Sequence, residues 1–570
     1  MQTRPYRRRH ISATLLYHGG TGQEACLTLR RAWCAVALLA LVCLLVRSAR
    51  VGLAGDYVDP IGKITAQDEA LYAHTAIRMA EQGGWLTPIF MGRYALYKPP
   101  LLMWASGISA RLLGVTRLGL RLPVALFASF AVGLVFLWAA EVRGWQAGAA
   151  AVLLLVSNRL WHVLAGMCMT DGLLVAWNTS AMYCLFSDPW LESGIALWGF
   201  AVSVAAAILT KSVAGVLPLA ILGMYWLVAP RNRKPAFRRV CYAGALSLAL
   251  AAPWFAYQLL VHQRWFWTEQ IRVEILGFGA GAPQQTSQEN PALFYLMRLA
   301  ATDPVLLASA LVAAPSFFLE LRKRSGEATL LACWLAVLVA AVLGWQYRNA
   351  SYLLPMAPAL AILAATSGPL SSKSSAPWML LLLSAAALAK TAVPEAPFGI
   401  SFQAGTVQKA AGPLSDYCER GRGNELIVAG VEDDLYASTL PLPKLRYGRF
   451  GGPMASGSYA MPWNYLGIAV DAQQWNDLAK WEPVYRRHLR EWGCNSGEPI
   501  GTLIVIRDTE ELASVVRAHP ASDFFLPLKY RAAISSAAPH ESVEVSPDYF
   551  LLLSREARTR ASPPAWGCRL

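Results

Sequence analysis

Long apolar runs, one after another, limit this chain more than anything else in it. Stretches of about 20 residues with few charges recur from Arg31 to about Ala392. In hydrocarbon, backbone N–H and C=O groups must be paired within the chain, and runs of this length do that as helices. Composition agrees: 55% of the 570 residues are hydrophobic, 15% are charged and the mean hydropathy is +0.37. A soluble domain carries about 25% charge. The expected fold is a polytopic α-helical membrane protein with about 11–13 transmembrane helices, followed by a small exported α/β or α+β domain. The expected division is 1–392 for the membrane module, including an external loop at 50–118, and 393–570 for the C-terminal domain. Twenty-one tryptophans suit the belts where a bilayer meets water.

The net charge of +14 does not indicate a nucleic-acid groove. Much of it lies in short segments between apolar runs, which is how cytoplasmic loops are charged. The expected contacts are membrane lipids and no nucleic acid. The ten cysteines show no CxxC and no zinc-type spacing. Cys418 and Cys494 lie in the tail and would be able to pair if it is exported. The opening RPYRRRH and the apolar residues 32–47 resemble a signal peptide. With no convincing small-residue cleavage site after Leu45, an uncleaved first span with a cytoplasmic N-terminus is expected.

The expected spans are 32–48, 119–140, 146–163, 170–186, 193–209, 212–229, 240–259, 300–319, 329–345, 350–367 and 376–392, eleven in all. The run at 99–113 is too short to cross and reads as a helix lying at the interface. Parity supports its omission. From an inside N-terminus, six, eight and ten crossings bring RNRKPAFRR (231–239), ELRKRSGE (320–327) and SSKSS (371–375) inside. All three then obey the positive-inside rule. The segment ALYKPPLLMW (95–104) accordingly belongs to the external loop, with Pro99 and Pro100 in the first turn of a short helix. The tail falls outside. ELIVAGV (425–431), GTLIVIRD (501–508) and YFLLLSRE (549–556) read as strands, and DTEELASVVRAHP (508–520) as a helix.

Several charges oppose this apolar background. Asp68 and Glu69 open a helical pattern that runs to about Glu81. Acids at a helix start are also ordinary there, since they complement the helix dipole. Asp171, in HVLAGMCMTDGLLVAW, falls at the outer end of a span, where an ionisable group is a functional candidate. Lys98 lies in the loop, and Lys211 between two apolar runs at the outer face, against the positive-inside trend. Arg272 in WTEQIRVEI and Arg348 in GWQYRNASYLLP are further outer-side cations. Acids and cations together at one membrane surface suit a reaction on an anionic lipid: cations hold a phosphate and a carboxylate serves an acceptor. His74 and His162 are weak metal candidates; a divalent metal stays open and no cofactor is assigned.

At this point the residues resemble a family. The loop DEALYAHTAIRMAEQGGWLTPIFMGRYALYKPPLLMW resembles the signature of the lipid-linked sugar transferases that include aminoarabinose transferase and the protein O-mannosyltransferases. RLPVALFASF (121–130), MTDGLL (169–174), TKSVAGVLP (210–218) and SYLLPMAPALAIL (351–363) are similar to later family segments. The resemblance covers about 60–400. It implies a GT-C glycosyltransferase of the bacterial inner membrane that uses a polyprenyl-phosphate-linked sugar and has a periplasmic active site. By the same resemblance Asp68, Glu69 and Asp171 are the catalytic acids, and Lys98, Lys211 and, more loosely, Arg272 the phosphate cations. An acceptor in the envelope, lipid A, another glycan or a protein, is implied, and for lipid A a link to polymyxin resistance. Tyr97 stands where aminoarabinose transferases usually carry an acid before the lysine, so the sugar and acceptor stay open, as does a monomeric state. Polyprenyl phosphate leaves readily once its charge is stabilised, and direct displacement predicts inversion at the sugar. A transporter or flippase also carries buried charge in many spans. The asymmetric first loop, the exported tail and the lack of an evident inverted repeat favour the transferase.

Overall fold

In the computed structural model the described residues are 35, 37–49, 68–90, 93–277, 290–367, 417, 426–429, 445–450, 503–506, 509–534 and 540–555. The expected span at 376–392, the SSKSS loop, Cys418 and Cys494 lie outside them. Among the described residues six segments are long and apolar enough to cross a membrane, and three shorter apolar helices accompany them. The helices are α1 (Ala37–Ala49), α2 (Asp68–Gln82), α3 (Leu101–Leu113), α4 (Arg117–Arg143), α5 (Trp145–Ser157), α6 (Arg159–Leu164), α7 (Thr170–Ser187), α8 (Gly194–Val228) and α9 (Phe237–Phe266). A π-helical segment, Trp267–Gly277, continues α9, and α10 (Pro291–Thr302), α11 (Pro304–Arg322), α12 (Gly326–Gly344) and α13 (Ala357–Ser367) complete the bundle.

Local chemistry explains the breaks. The expected span at 146–163 divides at Asn158, whose side chain accepts from the Trp161 N–H and starts α6. Asp303 accepts from the Leu306 N–H and starts α11. In α8 the helical angles fail at Lys211 and at Ser212, which has φ +28°. There the chain folds back. A Cβ on Gly215 would lie 2.2 Å from the carbonyl carbon of Ala207, and at the far ends of the two arms Arg233 stacks over Trp190 at 5.7 Å. The two expected runs, 193–209 and 212–229, are thus the arms of one helical hairpin with Lys211 at its tip. Helix α3 buries Leu102, Met103, Ser106 and Ala110 and exposes Ile108, Leu112 and Leu113. Pro100 is its N-cap, so helical residues begin at Leu101, two positions later than the expected start at Pro99.

Helix α4 links the two ends of the bundle. Arg121 is near its start and Arg143 at its close, roughly 33 Å apart at 1.5 Å per residue. At the Arg143 end, Arg143 meets Glu320 at 3.6 Å and Arg233 meets Glu327 at 3.4 Å. These pairs line a cavity of about 410 Å³. The basic segments 231–239 and 320–327 therefore share one end of the molecule. The remaining acids and lysines singled out in the sequence gather at the other.

The C-terminal part forms a six-stranded sheet in the order β5-β4-β3-β6-β8-β7. Its strands are β3 (Leu426–Ala429), β4 (Leu445–Phe450), β5 (Leu503–Ile506), β6 (Asp523–Pro527), β7 (His540–Glu544) and β8 (Tyr549–Ser554); β1 (Ile89–Phe90) and β2 (Arg93–Tyr94) form a small hairpin in the first loop. β3 to β6 run parallel, and β7 and β8 add antiparallel. Helix α14 (Thr509–Ala518) packs Leu512 and Val516 against Ile427, Phe524, Leu526, Phe550 and Leu552. The expected strands and helix are present. β4, β6 and β7 are additional.

Candidate active site

Three acid–cation pairs join distant parts of the chain at the Arg121 end of the bundle. In the first, Glu69 of α2 receives two hydrogen bonds from Arg121, Nε to Oε1 at 2.6 Å and Nη2 to Oε2 at 2.7 Å. Neither side chain is exposed. The Cys168 N–H also donates to Oε1 at 2.7 Å, and Arg121 Nη1 donates to the Ser48 carbonyl at 3.3 Å. Ser48 Oγ in turn donates to the Gly166 carbonyl at 2.9 Å. Four pieces of chain are tied here: the end of α1, the start of α2, the start of α4 and the turn before α7. Two charges removed from water need this degree of hydrogen-bonding to be tolerated.

The second pair is Asp171 with Lys211. Lys211 Nζ donates to Oδ1 at 2.8 Å. Asp171 lies in the first turn of α7, where free backbone N–H groups favour a carboxylate. Lys211 is at the hairpin tip, and its ammonium lies 5.2 Å from the centre of the Tyr352 ring, a cation–π contact. The break at the tip turns Lys211 out of the helical path and frees Ser212, whose hydroxyl accepts from Gln270 Nε2 at 2.6 Å. That bond attaches the π-helical segment to the tip.

The third pair joins Lys98 to Glu274 of the π-helical segment. Asp171 and Glu274 both act electrostatically on the Tyr352 phenol, as do Tyr295 and Tyr347. The second and third pairs therefore share one neighbourhood around Tyr352. Burial raises the Tyr295 phenol to about 12, while Arg348 pulls it down. The loop that carries Lys98 is secured to α9: Trp254 Nε1 and Gln258 Nε2 both donate to the Leu86 carbonyl, at 2.9 and 2.6 Å, and Thr87 Oγ1 lies 2.9 Å from His262 Nε2.

The structure thus pairs Asp171 with Lys211 and Lys98 with Glu274, ties the segment that carries Glu274 to the tip that carries Lys211, and places Arg348 near Tyr295. Glu69 sits in the neighbouring buried pair. Asp68 is the first residue of α2, and Arg272 lies on the π-helical segment; their side chains are outside the described residues. His74 belongs to α2 with its side chain likewise outside the description, and His162 is buried on α6. Among the described residues no three His, Cys, Asp or Glu side chains are grouped for a metal. Sequence reasoning missed Glu274, Tyr352 and Arg121. Each stood within a stretch already marked for another residue: WTEQIRVEI, SYLLPMAPALAIL and RLPVALFASF.

Residues 97–257 match the family model of dolichyl-phosphate-mannose-protein mannosyltransferase. The chain is 26% identical over 301 residues to an uncharacterized protein of Aquifex aeolicus (strain VF5), which covers 52% of this chain and 58% of that protein. It is also 26% identical over 250 residues to the undecaprenyl phosphate-alpha-4-amino-4-deoxy-L-arabinose arabinosyl transferase of Shewanella sediminis (strain HAW-EB3), covering 42% of this chain and 44% of that one. The chain spans about half the length of the curated relatives it matches. The crystal structure of ArnT from Cupriavidus metallidurans bound to undecaprenyl phosphate superposes with a TM-score of 0.64, over 92% of this chain and 99% of that one, at 16% identity. Likeness at that identity speaks to the fold. In fold, this chain is a polytopic α-helical membrane protein similar to ArnT, with a small C-terminal α/β domain.

Proposed function

We propose that the chain is an inverting glycosyltransferase of the bacterial inner membrane that moves a sugar from a polyprenyl-phosphate carrier to an envelope acceptor. The observation that carries this reading is the meeting of Lys98, Lys211, Asp171 and Glu274 around Tyr352 at one end of the bundle. A membrane-embedded site with two lysines and exchangeable carboxylates suits a substrate whose reacting group is a lipid phosphate. The likeness in fold to a protein solved with undecaprenyl phosphate supports that choice.

In this reading the donor phosphate binds Lys98 and Lys211, with Arg272 and Arg348 at its border. The acceptor oxygen attacks the anomeric carbon from the face opposite the phosphate. The bond from that carbon to the phosphate oxygen breaks, and its electron pair leaves with the polyprenyl phosphate. The acceptor proton passes to the Asp68 carboxylate. Asp171 holds the Lys211 ammonium in place. Glu69, through Arg121, positions the helix that carries Asp68. The sugar proposed first is 4-amino-4-deoxy-L-arabinose and the acceptor lipid A, after the names of the relatives. The N-terminus then lies in the cytoplasm, and the site and C-terminal domain in the periplasm.

The test is transfer by purified protein in nanodiscs supplied with undecaprenyl-phosphate-linked sugar and lipid acceptor, without any nucleotide sugar. Asp68→Asn should fold and reduce turnover by about 10²–10⁴-fold, the usual contribution of a general base. Turnover that requires a nucleotide sugar would place the protein in another class. Mass spectrometry of envelope lipids from cells with and without the gene identifies the sugar mass and the acceptor together.

A further inference from the structure

We propose that Glu274 is a built-in stand-in for the donor phosphate: it occupies the Lys98 ammonium in the free protein and is displaced when a lipid phosphate binds. The inference rests on the polyprenyl-phosphate reading above and deepens it. In the free site both lysines are already neutralised, Lys98 by Glu274 and Lys211 by Asp171. An incoming phosphate therefore competes with a carboxylate for either lysine. The two carboxylates are not held alike. Asp171 is fixed in the first turn of α7. Glu274 sits on a π-helical segment that begins four residues after Gln263, which has φ +42°, and is tethered to the hairpin tip through Gln270. A π-helical stretch after a strained residue gives up its position more readily than a helix end in a packed bundle.

Exposure separates both lysine pairs from the buried one and not from each other, since Lys211 and Asp171 keep 17% and 7%. Lys98 and Glu274 retain 18% and 9% side-chain exposure, whereas both members of the Glu69–Arg121 pair have none. The Lys98 pair is open to a competitor; the Arg121 pair is closed and adds two further hydrogen bonds. Pro99 and Pro100 follow Lys98 and stiffen the backbone that carries it. The exchange thus moves the acid and leaves the cation in place. It serves two ends. A lone ammonium near bilayer depth is avoided before substrate arrives, and after transfer Glu274 competes for Lys98 and helps the product phosphate to leave.

An internal competitor lowers apparent affinity by the fraction of molecules in which it is bound. Undecaprenyl phosphate, without sugar, is titrated into the full-length protein in nanodiscs, with melting curves in parallel, for wild type, Glu274→Gln, Glu274→Asp, Lys98→Ala and the Lys98→Ala/Glu274→Gln double variant. Glu274→Gln is expected to bind about three- to ten-fold tighter than wild type. Glu274→Asp, with the charge kept and the reach shortened, is expected in between. The tightening should vanish when Lys98 is Ala. Glu274→Gln should also lower the KM for donor and lower kcat, because product then leaves without its competitor. A parallel arm with inorganic phosphate separates the sources: displacement by the anion alone predicts tightening there too, and displacement by the lipid predicts it only with undecaprenyl phosphate. Equal or weaker lipid binding by both Glu274 variants overturns the inference, as does a fall in kcat at wild-type affinity, which would make Glu274 a base. If wild type itself does not bind undecaprenyl phosphate, the functional reading fails.

Discussion

Glu69 and Arg121, 52 residues apart in sequence, meet through two parallel hydrogen bonds with neither side chain exposed to solvent. Removal of one partner from such a pair leaves a buried charge uncompensated and costs about 3–5 kcal/mol. Arg121→Met is therefore expected to lower the melting temperature sharply. Glu69→Gln/Arg121→Met, with no charge left behind, should regain more than half of the loss, because Gln can still accept from the Cys168 N–H. Thermal melts of both variants in detergent provide the check. A double variant no better than Arg121→Met would show that the pair is not the source of the cost.

Asp171 and Lys211 are joined at 2.8 Å from elements 40 residues apart. If they act as one unit, their substitutions do not add. Asp171→Asn and Lys211→Met should each lower kcat/KM for the lipid-linked donor, and the double variant should be little worse than either. The coupling from such a cycle is expected to exceed about 1 kcal/mol. Additive losses would assign the two residues to separate tasks.

Much of the membrane fold is legible in the sequence because a run of apolar residues long enough to cross a bilayer admits few other structures. The α8 hairpin was readable as two runs with a lysine between them. The reversal at Ser212, with φ +28°, was not, since serine does not announce a left-handed backbone. Of the site, the acids and cations could be named but not paired. Lys98 and Glu274 lie 176 residues apart, and only packing decides that they meet. In the C-terminal sheet the apolar strands β3, β5 and β8 were plain. LRYGRF, DFFLP and HESVE carry charges or a proline, and they become strands through neighbours that supply the pairing.

Gly215 and Gly223 lie on the same arm of α8 and face different surroundings. A Cβ at Gly215 would stand 2.2 Å from the Ala207 carbonyl carbon and 2.3 Å from its oxygen, and backbone cannot rotate aside as a side chain can. At Gly223 nothing lies within 4 Å. Gly215→Ala should open the hairpin at a cost of about 3 kcal/mol or more, above the ordinary range for overpacking. Gly223→Ala should be neutral or stabilising by up to about 1 kcal/mol, as alanine is the better helix former. Melting curves of the two variants decide it; the same result for both would contradict the close approach of the arms.

Sidedness can be tested at the far ends of those arms. Arg233 stacks over Trp190 and pairs with Glu327, while Arg143, at the other end of α4 from Arg121, pairs with Glu320. These contacts put the basic segments 231–239 and 320–327 at one end of the bundle, as one membrane face requires. The proposed orientation makes that face cytoplasmic, because lysine and arginine in short loops are retained on the inside. A reporter fused after Lys234 should therefore be active only as a cytoplasmic fusion, and reporters after Gly92 and Gly421 only as periplasmic ones. Single cysteines placed at 234 and 421 in a background without exposed thiols, treated with an impermeant maleimide, give a second reading. Position 421 should label in intact spheroplasts, and position 234 only after the membrane is opened. Labelling of 234 from outside, with 421 protected, would turn the molecule over and put the Lys98 and Lys211 pairs on the cytoplasmic face. A lipid-linked sugar would then have to be used before it is carried across. Labelling of both from outside would mean that an even number of crossings separates 234 from 421 in place of the five assigned, and it would direct attention to residues 368–416.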